Sequence, residues 1–341
     1  MQFARAATEN PELRKALTQV VMFKANTHEE AGDRLAEEYG AKAIPHFVLM
    51  DKDGQPLDRW RGYGRPADWL AQFEGALGDL TPIPAKLERY AAEPTEALAA
   101  ALGRIRSAER KRKEAVEYYG AAQKLASKPV SWYARAIFAN QFSGLRDDEF
   151  SLEDVKASAD SVFALAPGDD AHRAFVGSMM ADMALEKKDA SILTPYLAAA
   201  LDASGRGDDE GAKAAHTDLL VAEALLVQKD PERAFTVKKD ALPSGWDQDP
   251  GHLNDLAWWC FKRDVRLSDA QKLALRGAEL AKDDESKAEI LDTAAEICNK
   301  LGNCEESVRL ITEASRLDPE SEHYKKQLAR FQEILTGKQQ I

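Results

Sequence analysis

Hydrophobic and polar positions divide the chain into two regimes. Near the front, Val20 to Asn26 is a short apolar run rich in β-formers that ends in a polar turn, which reads as a buried strand. A helix is expected next, with Thr27 as N-cap, Glu29 and Glu30 at the positive end of its dipole, and Gly40 where a terminal glycine belongs. Residues 44–50, the polar turn Asp51-Lys-Asp-Gly54 and residues 57–63 predict a strand, a tight turn and a second strand, hence a hairpin. Pro66 to Leu77 closes the region as an amphipathic helix with Trp69, Leu70, Phe73 and Leu77 on one face. Ahead of these elements, residues 3–19 carry Phe3, Leu13 and Leu17 as the buried face of another helix.

The second regime is helical throughout. Pro82, Pro84 and Pro94 are expected to interrupt helices, so residues 81–94 read as a junction between a first domain, 1–80, and an array over 95–336. Within that array the spacing of small residues repeats. Leu102-Gly103 in one helix answers Ala115, Tyr119 and Ala122 in the next, and Leu253 to Trp258 maps onto the 290s with a shift of 37 residues. The closing stretch places Ala294 and Ala295 in a first helix, Gly302 at a turn, Ala314 in a second helix and Pro319 at the end. Small residues at such positions let helices approach closely, while Tyr119 fills the gap between them. Residues 131–240 match less well, being broken at Pro167-Gly168, Gly205-Arg-Gly207 and Asp230-Pro231, and the whole amounts to about five or six helix pairs with a capping helix over 320–336.

These patterns carry two resemblances. The order strand, helix, Tyr39-Gly-Ala-Lys-Ala-Ile-Pro-His-Phe-Val-Leu49, Asp-Gly turn, strand, Gly62-Tyr63, final helix resembles the C-terminal two thirds of a thioredoxin-family domain over residues 3–78, with Ala43-Ile-Pro-His-Phe47 its most specific piece. The helical part resembles tetratricopeptide (TPR) repeats. Together they imply an incomplete α/β thioredoxin-like N-terminal domain followed by an all-α TPR-like helical solenoid. In the thioredoxin family the proline is cis and the backbone before it pairs with extended substrate; by resemblance Ile44 and Pro45 take those substrate-binding roles. The family's Cys-x-x-Cys, at a helix N-terminus after a central strand, would precede Met1, and with it goes the low-pKa thiolate that exchanges disulfides. The chain is therefore expected to be redox-inert, with no catalytic residue, and its front sheet to lack the middle strand. The rival reading is a thiol-disulfide oxidoreductase whose Cys-x-x-Cys lies upstream, the repeats positioning substrates. Arrays of this kind bind other proteins or peptides on a concave face, so protein interaction is the expected role.

Composition narrows the alternatives. A net charge of −12 opposes binding to nucleic acid or anionic membranes, and no apolar stretch spans a bilayer. The start at Met1 does not read as a secretory signal; a genuine start implies the cytoplasm, a truncated one the cell envelope or periplasm. Cys260, Cys298 and Cys304 read as buried thiols, with neither a metal cluster nor a cofactor expected. Other candidates have structural readings that outweigh the functional ones. Trp258-Trp-Cys-Phe261 reads as core packing, the basic run Arg104 to Lys113 as a solvated repeat corner, and His46 as a solvent-edge residue. Asp169-Asp170, Asp208-Asp209 and Asp283-Asp284 read as helix caps.

Overall fold

A computed structural model describes residues 2–41, 43–165 and 168–339. The order is α1 (Gln2–Glu9), α2 (Pro11–Leu17), α3 (Glu30–Glu38), β1 (His46–Met50), β2 (Pro56–Arg61), α4 (Pro66–Leu77), α5 (Ile83–Ala92), α6 (Glu96–Ala108), α7 (Arg112–Leu125), α8 (Ser131–Gly144) and α9 (Leu152–Leu165). Then come α10 (Asp170–Lys187), α11 (Thr194–Arg206), α12 (Glu210–Ala222), α13 (Pro231–Asp240), α14 (Pro250–Arg263), α15 (Leu267–Leu280), α16 (Asp284–Lys300), α17 (Cys304–Leu317) and α18 (Glu322–Gln339). A π-helical turn, Glu223–Gln228, continues α12. The chain forms two compact units. One holds the residues up to Gly177 with Asp202–Lys213; the other holds Ser178–Leu201 with the chain from Ala214 onward.

The front of the first unit follows the hydrophobic pattern. Asn10 accepts from the N–H groups of Glu12 and Leu13 and Pro11 opens the next turn, so the expected helix over 3–19 is split into α1 and α2. Leu13 is fully buried, and Phe3 and Leu17 pack with it against Trp60, Trp69 and Phe73. Phe3 meets Phe47 edge-on at 4.8 Å, and Trp69 stacks on Phe73 at 5.0 Å. The hairpin is antiparallel, with His46 opposite Arg61, Phe47 opposite Trp60 and Leu49 opposite Asp58.

Two expectations need correction here. Residues 20–26 form no strand, and Val21 is 98% and Phe23 73% exposed. Apolar β-formers make a strand only where a neighbour takes up their backbone groups, and among the described residues the sheet has β1 and β2 alone. Thr27 does not cap α3, which starts at Glu30. Asn26 forms a local turn first, accepting from the His28 N–H at 3.2 Å and donating to Glu29 at 2.9 Å.

The proline-rich stretch also differs from expectation. Pro82 caps α5 and Pro84 lies in its first turn, where no intrahelical N–H bond is needed, so these prolines start a helix; Pro94 follows its end. Helix α5 and its successor are fastened to the hairpin. Lys86, fully buried, donates to the carbonyls of Leu57 at 2.6 Å and of Asp79 and Thr81 at 2.8 Å. Arg104 of α6 grips Asp58 of β2 through two hydrogen bonds of 3.0 and 2.6 Å, the carboxylate fully buried and the arginine 7% exposed.

Helices α6 to α9 then pack consecutively. A Cβ on Gly103 would lie 2.7 Å from the Tyr119 ring, which is why α6 and α7 close on each other with glycine at that point. Ala99, Ala115 and Ala122 are fully buried along the same contact. In the second unit α13 to α18 pack in succession, and Ala294, Ala295, Ile297, Ile311 and Ala314 form the core of α16 and α17. Helix α18 buries Phe331 against them. The break expected at Pro167 lies outside the described residues, as does Lys42.

Candidate functional site

The site of interest lies where β1 begins. The Ile44–Pro45 peptide bond is cis, Ile44 is 71% exposed, and the Gly62 N–H donates to the Pro45 carbonyl at 2.8 Å. That bond sets the alternation of the antiparallel ladder. Phe47 and Leu49 turn their backbone groups inward to β2, and His46 and Val48 turn theirs outward.

The two outer edges of the hairpin differ. On β2 the outward Leu57 carbonyl accepts from Lys86, and the outward Arg59 N–H donates to Asp58 Oδ1 at 2.7 Å. Among the described residues nothing comparable covers His46 and Val48 on β1. An unpaired row of donors and acceptors is the surface to which an extended chain adds. Exposed Ile44 flanks it.

His46 differs from expectation. Its ring nitrogens are buried and lack a hydrogen-bond partner. Burial, then the nearby Arg59 and Arg61 charges, push its pKa below the ordinary value, against a weaker opposite pull from Glu109. The imidazole is neutral at physiological pH and is poorly placed to donate a proton.

The basic run is largely consumed by structure. Arg104 holds Asp58, Arg106 lies 2.7 Å from Glu109 and 2.9 Å from Glu114, and Arg112 holds Asp147 and Glu149 at 2.8 and 2.5 Å. No local pattern marks the roles of Asp58 and Lys86: Asp58 is followed by Arg59 in β2, and Lys86 is one of several charged residues on α5.

The aromatic run splits between faces. Cys260 is fully buried, Trp259 packs against the core of the second unit, and Trp258 stays 40% exposed while stacking on Phe261 at 4.9 Å. The three cysteines are unpaired and buried, all of them in the second unit. Burial raises the Cys260 thiol to about 12 and pushes Cys298 up as well. Acid pairs serve as caps: Asp169, Asp209 and Asp283 accept from the N–H groups of His172, Ala212 and Ser286 at 3.3, 2.8 and 2.8 Å. Among the described residues no group of acids, histidines and cysteines is arranged to hold a metal, and no helix is long and apolar enough to cross a membrane.

The family model of the thioredoxin-like domain matches residues 2–77. No curated protein matches the chain. Among solved structures it is similar to a tetratricopeptide repeat protein from Parabacteroides merdae, at 13% identity and TM-score 0.46, over 73% of this chain and 90% of that one. It is also similar to the Cut9–Hcn1 hetero-tetramer of the APC/C, at 13% identity and TM-score 0.42, over 72% of this chain and 45% of that one. Within the helical part, glycine and alanine stand where helices touch, and Tyr119 packs against Gly103 between α6 and α7. Residues 2–77 thus match a thioredoxin-like domain, and an array of helical hairpins follows it in the chain.

Proposed function

We propose that this chain is a protein-interaction module. Its thioredoxin-like domain takes up an extended polypeptide along the open edge of β1, beside Ile44 and Pro45, and the concave face of the repeats binds a partner protein. The observation that carries the reading is the contrast between the edges: on β2 the Leu57 carbonyl and the Arg59 N–H are taken up by Lys86 and Asp58, and β1 has no such contact next to an exposed Ile44. Disulfide exchange has no nucleophile in this chain. Residues 1–259 contain no cysteine, and Cys260, Cys298 and Cys304 are buried. The boundaries 1–80, 81–94 and 95–336 are the corresponding proposed division of labour.

A second reading is favoured by the matched Ile-Pro loop itself: a thiol-disulfide oxidoreductase whose Cys-x-x-Cys lies upstream of Met1. Insulin reduction separates the two. The chain alone is expected to show no turnover above a dithiothreitol blank, and turnover by a version extended upstream would establish the enzyme instead. Measurable reduction by these 341 residues alone would end the redox-inert reading.

A further inference from the structure

The arginines along the contact of β2 with the α6–α7 corner fall into two groups. Arg59 lies 3.7 Å from Glu109 and donates to the Tyr39 carbonyl at 3.0 Å; Arg104, Arg106 and Arg112 each hold at least one carboxylate. Arg61 and Arg110 have no carboxylate partner among the described residues, in a chain with 58 acidic side chains to 46 basic ones. They lie near enough for the charge of Arg110 to act on Arg61. Arg61 lies two residues beyond Arg59 on the same face of β2, and Arg110 directly follows Glu109, so the Arg59–Glu109 contact brings them together. Burial and then the charges of Arg110 and Arg112 weaken the hold of Arg61 on its proton, as expected for a cation left short of a counter-charge. Arg110, exposed at the corner with φ of 61°, is open to solvent.

Arg61 also stands opposite His46, whose backbone faces the open edge. A strand added to β1 would lie about 10 Å from the backbone of β2, two strand spacings away. A glutamate on that strand and the Arg61 side chain, extended toward each other over His46, close that gap. We propose that Arg61, assisted by Arg110, receives an acidic side chain of the polypeptide bound along β1, so that the edge selects acidic extended segments. This rests on the edge reading given under the proposed function. A carboxylate matches two guanidinium groups beside a neutral imidazole, and a long polyanion is disfavoured by the net charge of −12.

The test uses the full chain and two fluorescent, end-blocked peptides, one alternating valine with glutamate and one alternating valine with glutamine, titrated by anisotropy. The glutamate peptide is expected to bind about tenfold more tightly at low salt, and the preference to shrink as salt rises. Arg61→Gln should abolish the preference and Arg110→Gln reduce it. Lys113→Gln, a nearby exposed lysine, should leave it intact. Val48→Pro removes an outward N–H without touching the β1–β2 ladder and should weaken both peptides alike. Circular dichroism of each variant checks that it is folded. If both peptides bind equally and both are lost in Val48→Pro, the edge reading stands and the acidic selection falls. If the glutamate preference survives Arg61→Gln and Arg110→Gln, or falls equally with Lys113→Gln, the site assignment falls. If neither peptide binds, both readings fall.

Discussion

Asp58 and Arg104 leave water together, and each is tolerable there because of the other. Asp58→Asn leaves a guanidinium buried without its counter-charge, and a loss of about 3–5 kcal/mol is expected in urea unfolding. Replacing both, as Asp58→Leu with Arg104→Met, removes the stranded charge and should cost much less. His46 makes a pH prediction. Its folded pKa lies below the ordinary value near 6.5, so below about pH 6.5 the unfolded chain takes a proton that the folded chain refuses. Stability should be flat with respect to this group above that pH and fall as the pH drops toward the folded pKa. His46→Gln should flatten that part of the urea-midpoint profile. At this scale the sequence made Leu13, Trp69, Phe73 and the Ile44-Pro45 pair legible, because apolar periodicity and one motif mark them. Asp58, Lys86 and Arg104 were not legible. A charged side chain reads as solvated until its partner is known, and Asp58 and Arg104 are 46 positions apart.

Elements were legible where their own residues decide them. The hairpin, α4 and the α6–α7 and α16–α17 pairs follow from alternation, capping and small residues. Residues 20–26 illustrate the opposite case: composition says strand, but strand formation is a property of two segments, and this one has no ladder partner among the described residues. Pro82 and Pro84 illustrate a third. The same residue stops a helix in its interior and starts one at its first turn, and position relative to a boundary not yet known decides which. Gly103 supplies the test at this level. In Gly103→Ala the new methyl meets the Tyr119 ring at 2.7 Å, and the gain in helix propensity should be outweighed by a packing loss of about 1–3 kcal/mol, read as a lower denaturant midpoint. Gly103→Ala combined with Tyr119→Leu should recover part of that loss, since the methyl then meets a smaller side chain.

For the whole molecule, the distribution of sulfur matters. All three thiols lie in the second unit, each 5% exposed or less, so the native chain should resist Ellman's reagent near pH 8 and release three equivalents once denatured. Rapid labelling of the folded chain would contradict that placement. The fusion of front domain and repeats was legible as an order of segments. Its mechanical linkage was not, because Lys86 and Arg104 act across it through groups that no local pattern reveals.

The unequal flanks of the hairpin bear on how the protein behaves when concentrated. If two molecules meet through their bare sides, each presents outward a side on which a lysine and an aspartate already occupy the Leu57 carbonyl and the Arg59 N–H, so a third finds fewer free groups there. Growth beyond a pair is thereby disfavoured. Crowding should therefore favour dimers over longer assemblies in sedimentation.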